Sequence, residues 1–254
     1  MRVLVLGGTL EARTISGALA DTGQEVTLAL KGLTSRPVVP RGVTLRSGGF
    51  GGVAGLATYL QDNQTQVLID ATHPFAATMS WNAFAAAAQS GTRLMTVQRP
   101  PWSPRPGDRW QRLGSLAKAA RRLRHLPPKT VLLALGGQGA ETFRSCRQHR
   151  FQARVLESSK TALATSSAHR WRGLSLIRVG TAPTLGEEMA GLQDLRADLM
   201  IVRNAGGSLN AKLLAARRLR LPVWIIDRPP MPPAPTYGSP TALLDALTHG
   251  KGAP

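Results

Sequence analysis

Three residues able to carry chemistry stand together in the stretch IDATHPFA, residues 69–76: Asp70, Thr72 and His73. An imidazole changes charge near neutral pH, so His73 can donate to a ligand oxygen or relay a proton. Asp70 can orient that ring, or it can cap the helix that follows. The apolar run before Asp70 reads as a strand, and the carboxyl end of a strand is where open α/β sheets bind ligands. Pro74 suits the first turn of a helix, where its missing N–H needs no partner, and Phe75 and Ala76 then begin an Ala-rich buried segment. A single histidine at a strand end also serves as an ordinary loop residue, so the stretch has to be weighed with what converges on it.

Gly7, Gly8 and Thr9 follow the first apolar run and open a helix. Glycines let backbone N–H groups approach a phosphate closely, and a helix N-terminus adds partial positive charge. Thr9 can cap the helix or bond a phosphate oxygen. The pattern is not G-x-G-x-x-G, and a plain tight turn uses the same residues. After the second run, where an NAD-binding chain usually places an acid for the ribose 2′-hydroxyl, this chain has LALKGLTSR, with Lys31, Thr34, Ser35 and Arg36 and no carboxylate. That set suits a 2′-phosphate and hence NADPH, or else a solvated basic loop.

The later half repeats the design. LGGQGAE carries Gly136 and Gln138 after another run, and VRNAGGSLNAKL, 202–213, places Arg203, Asn204, Gly206 and Gly207 between a run and a helix. Asn204 and the two glycines can present donors to a carboxylate, amide or phosphate. Lys212, inside the following helix, reads as a solvated lysine.

The elements that must position these residues alternate. Apolar runs at 2–6, 25–30, 43–47, 66–70, 93–98, 130–135, 151–156, 174–179, 198–202 and 222–226 predict strands. Amphipathic segments at 9–21, 52–62, 75–89, 115–124, 139–148, 184–193, 209–219 and 239–248 predict helices. Such alternation is what a parallel sheet with crossover helices requires, so the fold class is α/β. VLVLGGTLEA at 3–12 is echoed by VLLALGGQGAE at 131–141, which points to two Rossmann-like domains with mainly parallel sheets and an active-site cleft between them. The expected boundary lies near HLPPK, 125–129, giving domains 1–125 and 126–254; the proline-rich 99–110 reads as a stiff connection.

Lys and Arg number 32 against 14 Asp and Glu, a net charge of +18 that calls for an anionic partner. The basic residues are spread as singles and pairs rather than gathered in a tail. Aromatics are only 5%, few for a single-strand binder that stacks bases. No nucleic acid is expected. Cys146 is the one cysteine, which excludes an intramolecular disulfide and a cysteine-rich metal site; it reads as an inert thiol, and no metal is expected. No run reaches the ~18 apolar residues of a membrane span, so the expectation is a cytoplasmic protein without membrane contact.

GGTLEAR at 7–13, DATHPFA at 70–76 and NAGG followed by KLLAARRLRLPVWIIDRP within 204–229 together resemble the precorrin-6A reductase family of cobalamin biosynthesis, across nearly the whole chain. The resemblance implies an NADPH-dependent oxidoreductase of two α/β domains that reduces one double bond of the macrocycle, hydride to C19 and proton to C18, giving precorrin-6B. By it, Gly7, Gly8 and Thr9 hold the cofactor's pyrophosphate; Asp70, Thr72, His73 and Pro74 line the cleft, with His73 and Asp70 as catalytic candidates and Thr72 toward the cofactor; and Asn204, Gly206 and Gly207 match the late motif and face the substrate. Gly136, Gln138 and Arg203 join the substrate set from their place in the turns alone. Lys31, Ser35 and Arg36 join the cofactor set by their chemistry alone. Family members often carry Ser where this chain has Ala205, so no hydroxyl role carries over there. The partners implied are the polycarboxylate precorrin-6A, whose charge a basic protein attracts, and transient contacts with neighbouring pathway enzymes. Two rivals share the local signals: an NADP-dependent reductase of another anionic metabolite, and a basic nucleic-acid-binding module.

Overall fold

Short runs rich in Val, Leu and Ile are buried on both faces when helices cover both sides of a parallel sheet. A computed structural model of the chain describes residues 1–31, 37–135, 139–156, 171, 173–179, 183–208 and 210–249. In chain order the strands are β1 (Arg2–Leu6), β2 (Glu25–Leu30), β3 (Val43–Ser47), β4 (Val67–Asp70), β5 (Arg93–Val97) and β6 (Trp110–Leu113). The later ones are β7 (Thr130–Ala134), β8 (Arg150–Leu156), β9 (Leu174–Val179), β10 (Leu199–Arg203), β11 (Val223–Ile226) and β12 (Thr236–Tyr237). The helices are α1 (Leu10–Asp21), α2 (Gly52–Asp62), α3 (Ala77–Ser90), α4 (Leu116–Leu123), α5 (Leu185–Asp194), α6 (Ala211–Arg218) and α7 (Pro240–His249), with a single 3₁₀ turn at Ala140–Phe143. Among the described residues no helix is long and apolar enough to cross a membrane.

The first unit comprises residues 1–100 and 230–254. Its sheet runs β12-β5-β4-β1-β2-β3, every pair parallel. Strand order therefore reverses between β1 and β4, which is the crevice that doubly wound sheets use for ligands. Val3, Val5 and Ile69 face a layer that holds Ile15, Leu19, Leu243 and Leu247. Leu4, Leu6 and Leu68 face the opposite layer, with Leu56, Leu60 and Ala83. Both faces of β1 and β4 are thus spent on packing, and only their carboxyl ends are left for chemistry.

The second unit, residues 101–229, repeats the plan in the order β6-β11-β10-β7-β8-β9, again with parallel pairs. Its reversal lies between β7 and β10. Around it Leu132, Met200, Val202, Leu213 and Ile225 form the core.

The two-unit α/β plan agrees with the sequence reading, but the division does not fall at 125/126. The chain changes unit at 100/101 and again at 229/230. Trp110 pairs with Val223, so the segment after β5 joins the second sheet, while Thr236 pairs with Thr96 and returns the chain to the first. HLPPK is only the connection from α4 to β7. The helix expected over 139–148 is one 3₁₀ turn followed by further turns, closed by Cys146 N–H to Phe143 O (2.9 Å) and His149 N–H to Cys146 O (3.2 Å). β8 begins at Arg150, which leaves no room for more. Helix α3 starts at Ala77 rather than at 75, because Pro74 and Phe75 sit inside a turn closed by Ala76 N–H to His73 O at 2.7 Å.

Candidate functional site

At the reversal in the first sheet, Leu6 stands beside Asp70 in register, and the chain leaves both strands at the same level. Gly7 donates to Ala29 O at 2.9 Å and continues the ladder by one residue. A Cβ there would lie 2.5 Å from Leu28 Cδ1 and 3.0 Å from Leu30 Cδ2, so a larger residue would have to displace the Leu28 side chain, which is buried. Gly8 turns the chain with φ +113°, outside the range of residues with side chains, and open space lies where its Cβ would be. The backbone is therefore exposed just before the N-terminus of α1, the arrangement a phosphate needs.

Thr9 caps α1, its hydroxyl accepting from Ala12 N–H at 3.1 Å. The same hydroxyl donates to Ala71 O at 2.7 Å and so ties the β1 turn to the end of β4 across the reversal. Its proton is committed to that bond. Glu11, in the first turn of α1, would repel an incoming phosphate, but Arg99 beyond β5 pairs with it at 2.9 Å and neutralises it. Thr9, Glu11, Ala71, Thr72, Pro74, Val97, Gln98 and Arg99 line a shallow recess open to solvent.

Asp70 is buried, and its Oδ1 accepts from both the N–H (3.0 Å) and the hydroxyl (2.7 Å) of Thr72. Of the two roles read for Asp70, helix capping is not seen, since α3 has Ala76 at its N-cap; Oδ1 instead shapes the loop that carries His73 through Thr72. His73 is exposed and is oriented from the other side, its Nδ1 accepting from Phe75 N–H at 3.2 Å. That bond places the proton of the neutral ring on Nε2. Lys31 is exposed after β2, while Ser35, Arg36 and Thr34 lie outside the described residues.

In the second sheet Arg203 ends β10 and donates to Leu135 O at 3.0 Å, bridging toward β7 as Thr9 does toward β4. Burial lowers its pKa, and Glu141 pulls it back up. Gly206 and Gly207 both have positive φ, 73° and 79°. Asn204 turns its side chain to the backbone of Trp102. It is buried, its Oδ1 accepts from Trp102 N–H (2.7 Å), and its Nδ2 donates to Trp102 O (3.1 Å). The oxygen and one amide proton of the side chain are thus used on backbone that would otherwise be unpaired. Its own carbonyl accepts from Arg228 Nε at 3.0 Å, and Ala205 O from Arg228 at 3.1 Å, which fixes the turn. Gly136 and Gln138 lie outside the described residues.

Sequence reasoning missed the Glu11–Arg99 pair and the Trp102 contact, because 99–110 read as a bare connection. The one available signal was Arg99 standing directly after an apolar run. Cys146 is buried, its thiol donating to Ala120 O at 3.3 Å, as an inert thiol should be. Among the described residues no three His, Cys, Asp or Glu side chains are placed to hold a metal ion.

Comparison with known proteins gives a consistent result. A family model described as precorrin-6x reductase CbiJ/CobK matches residues 2–248. The precorrin-6A reductase of Rhodococcus erythropolis is 40% identical over 92% of this chain and 91% of its own length. That of Rhodobacter capsulatus is 41% identical over 91% and 89%. A solved structure described as CobK precorrin-6A reductase superposes with a TM-score of 0.84 at 37% identity, covering 99% of this chain and 97% of that one.

Proposed function

The chain belongs to the precorrin-6x reductase family, and from that premise we propose that it reduces precorrin-6A to precorrin-6B with NADPH, delivering hydride to C19 and a proton to C18. The observation that carries the reading is similarity to precorrin-6A reductases along nearly the entire length of both chains.

The residues of the first sheet fit a dinucleotide. The exposed Gly7–Gly8 backbone with α1 behind it would take the pyrophosphate, and pairing with Arg99 removes the Glu11 charge that would oppose it. Thr9 acts by holding the β1 and β4 ends together, and Thr72 forms part of the wall. Lys31, Ser35 and Arg36 would hold the 2′-phosphate and set the preference for NADPH over NADH. When bound, the dihydronicotinamide supplies the hydride.

His73 is the proton relay toward C18. Asp70 is a positioning residue, acting through Thr72 on the loop that carries the imidazole. Arg203, Gly206, Gly207, Gly136 and Gln138 would contact the macrocycle, with Asn204 positioning their turn through Trp102. The +18 charge attracts a polycarboxylate ligand, so a nucleic-acid partner is not needed to account for it. A cytoplasmic setting, where NADPH is supplied, and brief contact with the enzymes before and after it complete the reading.

The test is anaerobic turnover with purified protein, enzymatically made precorrin-6A and either NADPH or NADH, followed at 340 nm and in the macrocycle spectrum. Tetrapyrrole-dependent oxidation of NADPH, strongly preferred over NADH, is expected. Binding of NADPH with precorrin-6A left unreduced would favour another anionic substrate.

A further inference from the structure

The second unit contains an ionic cluster that the function above does not use. Arg154, on β8, pairs with Glu188, in the first turn of α5, at 2.5 Å, and the two side chains are 12% and 3% exposed. Lys212, in the first turn of α6, adds a second cation. It is partly buried, and among the described residues it makes no ion pair of its own. Burial lowers its pKa; Glu188 raises it, and Arg154 lowers it again. Two cations thus share one carboxylate. Among the described residues Arg154 Nε and, two positions earlier on the same face of β8, Gln152 Oε1 are buried without a hydrogen-bond partner.

Three effects therefore oppose the ammonium of Lys212: desolvation, the neighbouring guanidinium, and the positive end of α6, where a cation is the wrong charge. An anion placed beside it would relieve all three. α5 and α6 pack against each other, and their N-termini lie at the carboxyl edge of the sheet, the side from which ligands approach.

We propose that Arg154 and Lys212 form a carboxylate-binding site at the carboxyl edge of the second sheet, and that it takes one peripheral carboxylate of the tetrapyrrole. The Lys212 ammonium offers the charge-assisted donor, the buried Arg154 guanidinium adds positive charge behind it, and Glu188 holds that guanidinium in place and keeps the excess at one positive charge. The cluster itself supports an anion site, whereas the identity of the anion rests on the reading of the chain as a precorrin-6A reductase.

The deciding variant is Lys212→Met. It should raise KM for precorrin-6A roughly 10- to 100-fold, the worth of a hydrogen bond to a charged group, and leave kcat and the NADPH dissociation constant near wild type. Lys212→Arg should restore most of the loss. Fluorescence titration with a stable octacarboxylate porphyrin, without NADPH, should show the same weakening. The stability readout separates a binding role from a structural one. The folded pKa of Lys212 lies below its ordinary 10.5, so its charge costs stability at neutral pH, and that cost fades as pH rises toward the unfolded value. Lys212→Met should therefore melt at or above the wild-type temperature at pH 7, with the gap closing toward pH 10. Wild-type KM and porphyrin affinity in Lys212→Met would overturn the site. If the wild type fails to reduce precorrin-6A at all, the functional reading falls; the porphyrin titration still judges the cluster, weakened binding upholding an anion site and equal binding ending it.

Discussion

At the scale of single residues, types that look alike in the sequence divide by what their polar atoms already hold. Asn204 and His73 both read as ligand-facing groups at strand ends. The amide of Asn204 is buried and bonds through its oxygen and its nitrogen to Trp102, whereas His73 is exposed, with its Nδ1 accepting from Phe75 N–H. Different consequences follow from removing each. Asn204→Ala strands the buried N–H and C=O of Trp102, and unfolding should show a loss of about 2 to 4 kcal/mol, the penalty for two unpaired backbone groups. If His73 relays the proton as proposed, His73→Ala should lower kcat roughly 10²- to 10⁴-fold, the usual range for general acid–base catalysis, with melting temperature and NADPH affinity nearly held because the ring is exposed. Unchanged turnover would assign the proton to water or to another group.

At the scale of elements, the short strands β6 and β12 matter beyond their length. β12 is two residues, Thr236 and Tyr237, yet it brings α7 against the first sheet, where Leu243 is 0% and Leu247 2% exposed among Val3, Val5 and Ile15. The tail is thus core of the first unit. Leu243→Ala should cost about 2 to 5 kcal/mol, as large-to-small core changes do, and limited proteolysis should find the first unit loosened well before the second. The caps follow the same logic of local closure. In α5, Thr184 and Glu187 close a reciprocal box, and the hydrogen bonds from Thr184 hold the Glu187 carboxyl below its ordinary pKa. That contribution is present above the unfolded pKa and is lost as pH falls through the lowered one.

At the scale of the whole molecule, the excess of 18 positive charges acts on association more than on fold. A polycarboxylate should be drawn in from a distance at low salt, and screening should remove that advantage. Between roughly 0.02 and 0.2 M salt, KM for precorrin-6A should rise several-fold while kcat stays level. A salt-independent KM would mean that only close contacts, such as that proposed at Arg154 and Lys212, recognise the substrate.

The sequence by itself determined the α/β class, the positions of ten strands to within a residue or two, the glycine turns after β1 and β10, and the family. Each of these is local: burial on both faces leaves an unbroken apolar run, a turn at φ +113° admits only glycine, and a motif is contiguous. What the tertiary structure decided joins residues far apart in the chain. Trp110 pairs with Val223 and Thr236 with Thr96, Arg99 neutralises Glu11, Asn204 bonds to Trp102, and Lys212 is partly buried within electrostatic reach of Arg154 and Glu188. A periodicity shows which face of a segment is buried, but nothing in it names the partner. The partner is what decides whether a polar group holds the fold together or is left to bind a ligand.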